Sequence, residues 1–197
     1  AVVGNPPYVR QELLGAQAKR QIAGCLAADW PEIARPYWER LMGRSDLAAA
    51  FIARSLRFLP EGGRLGFVLS QAALEAGYWE GLRRFLAERA NVLAVVSSPA
   101  ERWFADAAIH GVIVILERRT NGASPRPLAR FARLGVPMVD AAARVRGLAD
   151  LDVVAEVRAL GGAEAWLSPW APLVRAPDAW FAASREAGGL LVPLGEL

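Results

Sequence analysis

The sequence of 197 residues contains one cysteine, one histidine and one lysine, and these scarcities exclude several classes of site. Cys25 alone cannot form an intrachain disulfide or a zinc cluster of cysteines. His110 alone argues against a histidine-based metal centre and against a Ser-His-Asp triad, so we expect no metal site. No apolar run approaches the ~18 residues that span a bilayer, and no cleavable signal opens the chain. We therefore expect a cytoplasmic protein with no membrane partner.

The composition indicates a folded globular protein with one substantial core. Hydrophobic residues make up 54% of the sequence, and the mean hydropathy is +0.21. The net charge is +3, and Lys19 is the only lysine, so the basic side chains are almost all arginine. Arginine suits phosphates and guanine edges, but abundant arginine beside alanine is also what a GC-rich genome encodes. Charge alone therefore does not establish nucleic-acid binding.

Apolar patterning predicts strands that alternate with helices. The predicted strands are Ala1–Val3, Arg64–Ser70, Asn91–Ser98, a long strand beginning at Ile109, Leu128–Leu134 and Val153–Arg158. The predicted helices are Leu13–Ala28, Ser45–Leu59, Gln71–Ala90 with a break near Gly77, and Pro177–Ala187. The segment Trp30–Arg44, rich in aromatics and proline, is predicted to be a loop with short helical turns.

The helix over Ser45–Leu59 has the clearest pattern. Ser45 or Asp46 can cap its amino end. One predicted apolar face contains Leu47, Phe51, Ile52, Ser55, Leu56 and Leu59.

This alternation predicts an α/β fold in which most strands are parallel. Only about ten residues separate Ser98 from Ile109, which is too short for a crossover helix. The strands on either side of that segment are therefore predicted to be antiparallel neighbours. The expected fold is a sheet of parallel strands that ends in an antiparallel hairpin.

The first residues, "AVVGNPPYVRQE", place a rigid turn at the end of a short strand. Prolines end the strand, because they cannot donate to the ladder and they restrain the residue before them. Ligands of open α/β sheets collect at the carboxyl ends of the strands. The turn is either a proline-stiffened loop whose asparagine caps the next segment, or a binding site.

The turn carries groups that can hold a planar amine. The Asn5 side-chain oxygen and the Pro6 carbonyl can accept the two hydrogens of one exocyclic amino group. Two such acceptors favour a tetrahedral nitrogen and free its lone pair for attack, and this requires no titrating base. Tyr8 offers a flat face on which a base can stack.

Three segments together resemble the gamma-class N6-adenine DNA methyltransferases. They are "GNPPYVRQE", "SDLAAAFIARSLRFLPEGGRLGFVLS" and "WFADAAIHGVIVILER". The sequence is most similar to the TaqI-like catalytic domain of type IIG restriction-modification enzymes and of BREX phage-resistance methyltransferases. The resemblance implies the second half of a Rossmann-like class I methyltransferase sheet, which acts on double-stranded DNA with S-adenosylmethionine.

The resemblance also implies roles for individual residues. Asn5, Pro6, Pro7 and Tyr8 form the catalytic turn, and Tyr8 and Phe104 stack on the extruded base, although Trp103 competes with Phe104. Phe51 lies against the cofactor adenine, although it could equally be a core residue. Asp46 is a second cofactor candidate, with capping as its alternative. Arg10 and Gln11 could contact DNA, and His110 is expected to be structural.

The sequence departs from the family pattern in its cofactor half. The glycine-rich loop and the acidic residue that hold the cofactor precede the "NPPY" strand in this class, and the sequence does not contain them. Both ends also look cut, so we expect a fragment that is inactive alone. The predicted organisation is 1–118 as the catalytic half-domain, 119–176 as a connecting region and 177–197 as the start of a target-recognition domain.

Other functions fit the same turn. An "NPPY" enzyme can methylate the side-chain amide of glutamine in a protein, and an N4-cytosine or RNA amino-methyltransferase would use the same amine chemistry. A fragment that uses the fold only as a DNA-binding scaffold is the alternative from a different class. Upstream sequence with a glycine-rich strand–loop–helix would favour an enzyme.

Overall fold

A computed structural model of the chain describes residues 1–75, 79–98, 101, 103, 110–120, 128–161 and 170–175. The strands are β1 (Val2–Gly4), β2 (Arg64–Ser70), β3 (Ala90–Ser97), β4 (Gly111–Arg118), β5 (Leu128–Leu134) and β6 (Ala155–Gly161). The helices are α1 (Ala16–Asp29), α2 (Arg35–Arg44), α3 (Leu47–Phe58), α4 (Ala72–Glu75), α5 (Glu80–Arg89), α6 (Met138–Arg144) and α7 (Trp170–Arg175). None of these helices has the length and apolar character needed to cross a bilayer. Ile109, the predicted break at Gly77 and the predicted helix Pro177–Ala187 lie outside the described residues.

The six strands form one sheet in the order β1-β2-β4-β3-β5-β6. β1 pairs with β2 and β3 pairs with β5 in parallel, whereas β4 is antiparallel to both β2 and β3, and β6 is antiparallel to β5. Four of the six strands, β1, β2, β3 and β5, therefore run in the same direction. The predicted α/β class is confirmed, as is the antiparallel pairing of β3 with β4. The insertion of β4 between β2 and β3 is a tertiary feature that the pattern did not predict.

The predicted loop Trp30–Arg44 is wrong over most of its length, because α2 occupies Arg35–Arg44. Pro36 lies in the first turn of α2, where the missing N–H is not needed by the helix. Trp38, Leu41 and Met42 recur at helical spacing and are all buried. The proline and aromatic residues that suggested a loop therefore start the helix and supply its buried face.

Two further predicted boundaries shift because short 3-10 turns take the neighbouring residues. α1 begins at Ala16 instead of Leu13, since Gln11–Leu13 forms a 3-10 turn. β6 begins at Ala155 instead of Val153, since a second such turn covers Leu148–Val153.

α3 confirms the predicted helix but corrects its predicted apolar face. The buried stripe consists of Ala48, Ala49, Ala50, Ile52, Ala53 and Leu56. Phe51 is instead 42% exposed. The alanines allow α3 to approach the sheet closely, and successive helical residues are 100° apart, so position 51 falls outside the stripe.

A large core joins α1, α2, α3 and α5 to one side of the sheet. Buried aromatic rings dominate it: the Trp38 and Phe85 centroids are 5.2 Å apart and the Trp30 and Phe85 centroids 5.0 Å apart, both in edge-to-face contact. Burial of each large apolar side chain contributes about 1.5–3 kcal/mol to folding. This core supports α3, whose amino end is hydrogen-bonded to Val9, just after the "NPPY" turn.

A second core lies around β3, β5 and α6. Its buried members are Ala94, Val96, Ala132, Leu134, Ala141, Leu151 and Val154. β5 and β6 pair onto the same sheet as β1–β4, so the predicted connecting region 119–176 supplies two strands to it. The proposed domain boundary at residue 118 remains a prediction.

The turn from α3 to β2 is held at the amino ends of the parallel strands. Gly62 has φ +74°, a left-handed conformation that favours glycine. A Cβ on Gly63 would lie 2.8 Å from the Pro60 carbonyl oxygen, so a side chain does not fit there. The Gly62 amide donates to the Arg118 carbonyl at 2.8 Å, and the Arg118 amide donates to the Gly63 carbonyl at 2.8 Å. This turn joins the predicted helix Ser45–Leu59 to the predicted strand Arg64–Ser70.

Candidate active site

The "NPPY" turn begins at the carboxyl end of a parallel strand, as predicted. β1 pairs with β2 through Gly4, which lies opposite Phe67, and Asn5 follows directly. A Cβ on Gly4 would lie 3.4 Å from the Phe67 ring, so glycine allows a close approach of the two strands. Pro6 is buried, whereas Asn5 and Pro7 are exposed. The turn is therefore anchored by one proline and presents its asparagine to solvent.

Asn5 caps no helix in the described part of the chain. The next regular element is the 3-10 turn Gln11–Leu13. Its capping position is Arg10, and no side chain hydrogen-bonds to its amino end. The Asn5 side chain itself makes no hydrogen bond to any described residue. Its amide oxygen is thus available to a ligand.

Tyr8 is half-buried and fixed to the neighbouring strand. Its hydroxyl donates to the Val68 carbonyl at 3.1 Å. Val68 follows Phe67, the last β2 residue that pairs with β1. Burial raises the pKa of the Tyr8 phenol, so the group remains a neutral donor. The hydrogen bond therefore orients the ring at the point where the ladder between β1 and β2 stops.

The turn is also tied to the start of α3. The Leu47 amide donates to the Val9 carbonyl at 3.0 Å. Asp46 caps α3, since its carboxylate accepts from the Ala49 amide at 3.2 Å. The choice that the sequence left open between Ser45 and Asp46 is settled in favour of Asp46. This cap and the Val9 contact place the amino end of α3 beside the turn.

Burial raises the pKa of the Asp46 carboxyl. The hydrogen bond from the Ala49 backbone amide, together with the nearby Trp79 and Ala48 N–H groups, acts in the opposite direction and is the weaker influence. The carboxyl is therefore a cap held in a poorly solvated position.

An open cleft of about 570 Å³ lies beside residues 10–12, which follow the turn, and residues 5–8 do not line it. Its lining residues are Arg10, Gln11, Glu12, Gly43, Arg44, Asp46 and Ala72. The structure thus brings together Arg10, Gln11 and Asp46, three residues singled out in the sequence. It adds Arg44, at the end of α2, which sequence patterning did not identify. Arg44 directly precedes the "SD" cap of α3, and this position could have indicated that it lies beside Asp46.

Gln11 and Arg10, the two predicted DNA contacts, differ in whether their side chains are already hydrogen-bonded. The Gln11 side-chain oxygen accepts from Lys19 at 2.9 Å, and its amide nitrogen donates to Glu12 at 2.9 Å. Arg10 is exposed and makes no salt bridge or side-chain hydrogen bond to another described residue. Arg10 is therefore the better placed of the two to bind a ligand.

The remaining candidates lie apart from the cleft lining or outside the described residues. Phe51 is exposed on α3 and does not line the cleft. Phe104 lies outside the described residues, and Trp103 is half-buried. His110 is exposed at the carboxyl ends of the parallel strands, where its backbone carbonyl accepts from the Gln71 amide at 2.7 Å.

Fold and turn together define an α/β protein with a proline-stiffened turn and an exposed asparagine at the carboxyl edge of its sheet. Residues 1–104 match the Eco57I restriction-modification methylase family, and the chain belongs to that family. This confirms the resemblance found in the sequence.

Curated relatives extend the similarity over most of the chain. The chain is 32% identical to the type II methyltransferase M.PaeR7I of Pseudomonas aeruginosa, over 95% of this chain and 32% of that protein. It is 32% identical to M.XhoI of Xanthomonas vasicola, over 64% of this chain and 21% of that protein. The chain therefore spans about a third or less of the length of these relatives.

Solved structures share the fold. The type IIG restriction endonuclease BpuSI matches 87% of this chain and 20% of its own, with a TM-score of 0.59 and 12% identity. A chain of a type I restriction-modification complex matches 96% of this chain and 43% of its own, with a TM-score of 0.57 and 15% identity. At these identities the likeness concerns the fold.

Proposed function

We propose that the protein containing this chain transfers a methyl group from S-adenosylmethionine to N6 of adenine in double-stranded DNA. The family is a restriction-modification methylase family, and methylation would mark host DNA in such a system. The observation that carries the proposal is the exposed Asn5, whose amide is unengaged by the described residues, at the carboxyl end of β1. The base would turn out of the duplex to reach it.

The turn supplies acceptors for the amino group that is methylated. The Asn5 side-chain oxygen and the Pro6 carbonyl accept one hydrogen each. This arrangement draws the nitrogen out of the plane of the ring and makes its lone pair available. Such preorganised polar contacts act without a proton-accepting side chain. Proline at positions 6 and 7 stiffens the backbone, which lowers the entropic cost of holding the two acceptors in place.

Tyr8 stacks on the extruded base. Its hydroxyl is held by Val68, so the ring is oriented before the base arrives. Stacking of a base on an aromatic side chain contributes about 1–3 kcal/mol, which offsets part of the cost of flipping. Phe104 is proposed as the second aromatic on the opposite side of the base.

S-adenosylmethionine, when bound, supplies the activated methyl group. Phe51 fits a role at its adenine ring, because α3 leaves this aromatic side chain outside the core. The Asp46 carboxylate already accepts a hydrogen bond from the Ala49 amide as the cap of α3. A cofactor contact would therefore have to be made by the same carboxylate. We propose that most of the remaining cofactor site comes from residues that precede "NPPY" in the full-length protein.

Replacement of Asn5 by Ala tests the proposed chemistry. We expect methyl transfer to duplex DNA by the whole protein to fall about 10²–10³-fold, because one of two preorganised acceptors is lost. DNA affinity should change little, because phosphate contacts supply most of it. Tritium transfer from labelled S-adenosylmethionine and binding by fluorescence anisotropy measure the two quantities.

The matched control is Gln21→Ala, which removes an exposed amide on α1 and should leave both quantities unchanged. Near wild-type turnover of N5A would disprove the amine-gripping role. Mass spectrometry of the hydrolysed nucleic-acid and protein products separates the substrates. N6-methyladenine in DNA supports the proposal, whereas N4-methylcytosine, methylated RNA or methylated glutamine would replace it.

A further inference from the structure

Two clefts adjoin each other at the carboxyl edge of the sheet and share Arg44. The first, beside the "NPPY" turn, includes Arg10 and Arg44. The second, of about 300 Å³, lies between α2 and α5 and is lined by Tyr37, Arg40, Leu41, Arg44, Glu80, Gly81 and Arg84. A path therefore runs from Arg10, just after the turn, past the end of α2 and into the groove between α2 and α5.

Arg40 and Arg44 lie one turn apart on the same side of α2, about 6 Å along the helix axis. Both are exposed, and neither makes a hydrogen bond or salt bridge to the described residues. Other arginines nearby are engaged: Arg35 pairs with Glu39 at 2.9 Å, and Arg84 pairs with Glu80 at 2.7 Å. The donors of Arg40 and Arg44, like those of Arg10, are thus available along the path.

The acidic groups of the two clefts are already hydrogen-bonded. Glu12 accepts from Gln11, Asp46 accepts from the Ala49 amide, and Glu80 accepts from Arg84. Among the described residues only Glu80 of these three is paired with a cation, and the two linings together hold four arginines and three carboxylates, so the path has a positive excess of one charge.

The floor of the second cleft is rigid. The Tyr37 hydroxyl donates to the Gly81 carbonyl at 2.6 Å and joins α2 to α5. A Cβ on Gly81 would lie 3.1 Å from Leu41, so glycine permits the close approach of the two helices. Fixed helices hold the Cα atoms of Arg40 and Arg44 at a defined spacing, which favours a repeated anionic ligand over a single ion.

We propose that Arg40 and Arg44 bind the phosphate backbone of the DNA that flanks the target base. The inference rests on the proposed function, since it takes the nucleic acid whose base enters the "NPPY" turn as the ligand. Guanidinium groups bind phosphate oxygens bidentately. The path carries the strand away from the turn across the end of α2 and the start of α5.

The test measures the salt dependence of duplex DNA binding by the whole protein. Each phosphate contact contributes about 0.9 to the slope of log K against log salt. We expect R40Q/R44Q to reduce the slope by about 2, and R40K/R44K to restore most of it. The control R144Q/R146Q removes two exposed arginines at the end of α6 and just beyond it, and should leave the slope unchanged.

The outcomes separate the inference from the proposed function. An R40Q/R44Q slope equal to that of the wild type or of the control overturns the phosphate contacts, even if the protein methylates DNA. A wild type that binds no duplex DNA overturns them as well. A reduced slope with no methyl transfer by the wild type supports the phosphate contacts and refutes the proposed reaction. Circular dichroism of each variant checks that the exposed substitutions leave the fold intact.

Discussion

Arginines lie at both edges of the sheet, but the two edges use them differently. At the amino edge, Arg118 donates to the carbonyls of Arg57 and Leu59, and Arg119 donates to the Ala87 carbonyl at 2.9 Å. At the carboxyl edge, Arg40 and Arg44 have no such partner in the described part of the chain. Arginine side chains therefore hydrogen-bond to backbone carbonyls at the amino edge, whereas at the carboxyl edge their donors remain available to a ligand.

The amino edge also gathers three guanidinium groups around one indole. Arg57, Arg89 and Arg118 each lie 5.7–5.9 Å from the centre of the Trp30 ring. Trp30 is buried, and its own N–H donates to the Ala53 carbonyl at 3.2 Å. Cation–π contacts of this kind stabilise by about 0.5–2 kcal/mol each. The number of arginines in a sequence thus says less about nucleic-acid binding than the engagement of their donors does.

The largest expected difference between the edges is in stability. Arg118→Met keeps an unbranched chain beside Trp30 but removes donors to two backbone carbonyls at the end of α3. We expect the free energy of unfolding to fall by about 2 kcal/mol, since hydrogen bonds to charged groups contribute about 1.5–3 kcal/mol. Urea denaturation measures it.

Arg44→Met is the matched change at the carboxyl edge. Its effect on the free energy of unfolding should stay within about 0.5 kcal/mol, as for other exposed positions. If R118M and R44M lose the same free energy of unfolding, arginines at the amino edge are no more important for stability than those at the carboxyl edge.

A smaller effect on the free energy of unfolding is expected at Tyr8, which has both a structural hydrogen bond and a proposed role in base stacking. Tyr8→Phe removes the hydrogen bond to Val68 but keeps the ring. We expect a loss of about 1 kcal/mol in unfolding free energy, with retention of an extruded base largely preserved. Tyr8→Ala should in addition weaken that retention, which a fluorescent adenine analogue at the target position reports. If Y8F and Y8A retain the base equally, stacking by this ring is refuted.

The smallest expected effect is the pH dependence contributed by Asp46. Its pKa is raised by burial, so the folded state binds the proton more tightly than the unfolded state does. This contribution to stability is fully present below the ordinary pKa of about 3.9 and is lost as pH rises through the higher folded-state pKa.

Asp46→Asn keeps a good cap but does not titrate. The wild type should therefore gain stability relative to D46N as the pH falls through that window, measured by urea midpoints at several pH values. Asp46→Ala should be about 1 kcal/mol less stable than D46N at every pH, because the cap is lost and neither variant titrates at this position. A wild type that weakens relative to D46N on acidification would show that the capping hydrogen bonds outweigh burial.

Several elements could be predicted because their signals are local. The prolines after Val3 end β1 whatever surrounds them, and β5 was predicted with its observed bounds, Leu128–Leu134. Asp46 was one of two predicted caps for α3, and capping depends on only a few consecutive residues. The prediction failed at α2. A proline interrupts a helix when it lies in the interior but is tolerated in the first turn, where Pro36 lies.

By itself, the sequence determined the α/β class, the rigid turn at the end of β1 and the family to which the turn belongs, since short-range backbone preferences and contiguous motifs carry that information. Only the tertiary structure decided that Phe51 stays outside the core, that β4 lies between β2 and β3, and that Arg44 lines the cleft beside Arg10. These outcomes depend on contacts between residues far apart in the chain, and hydrophobic packing chooses among arrangements that local patterns leave equally open.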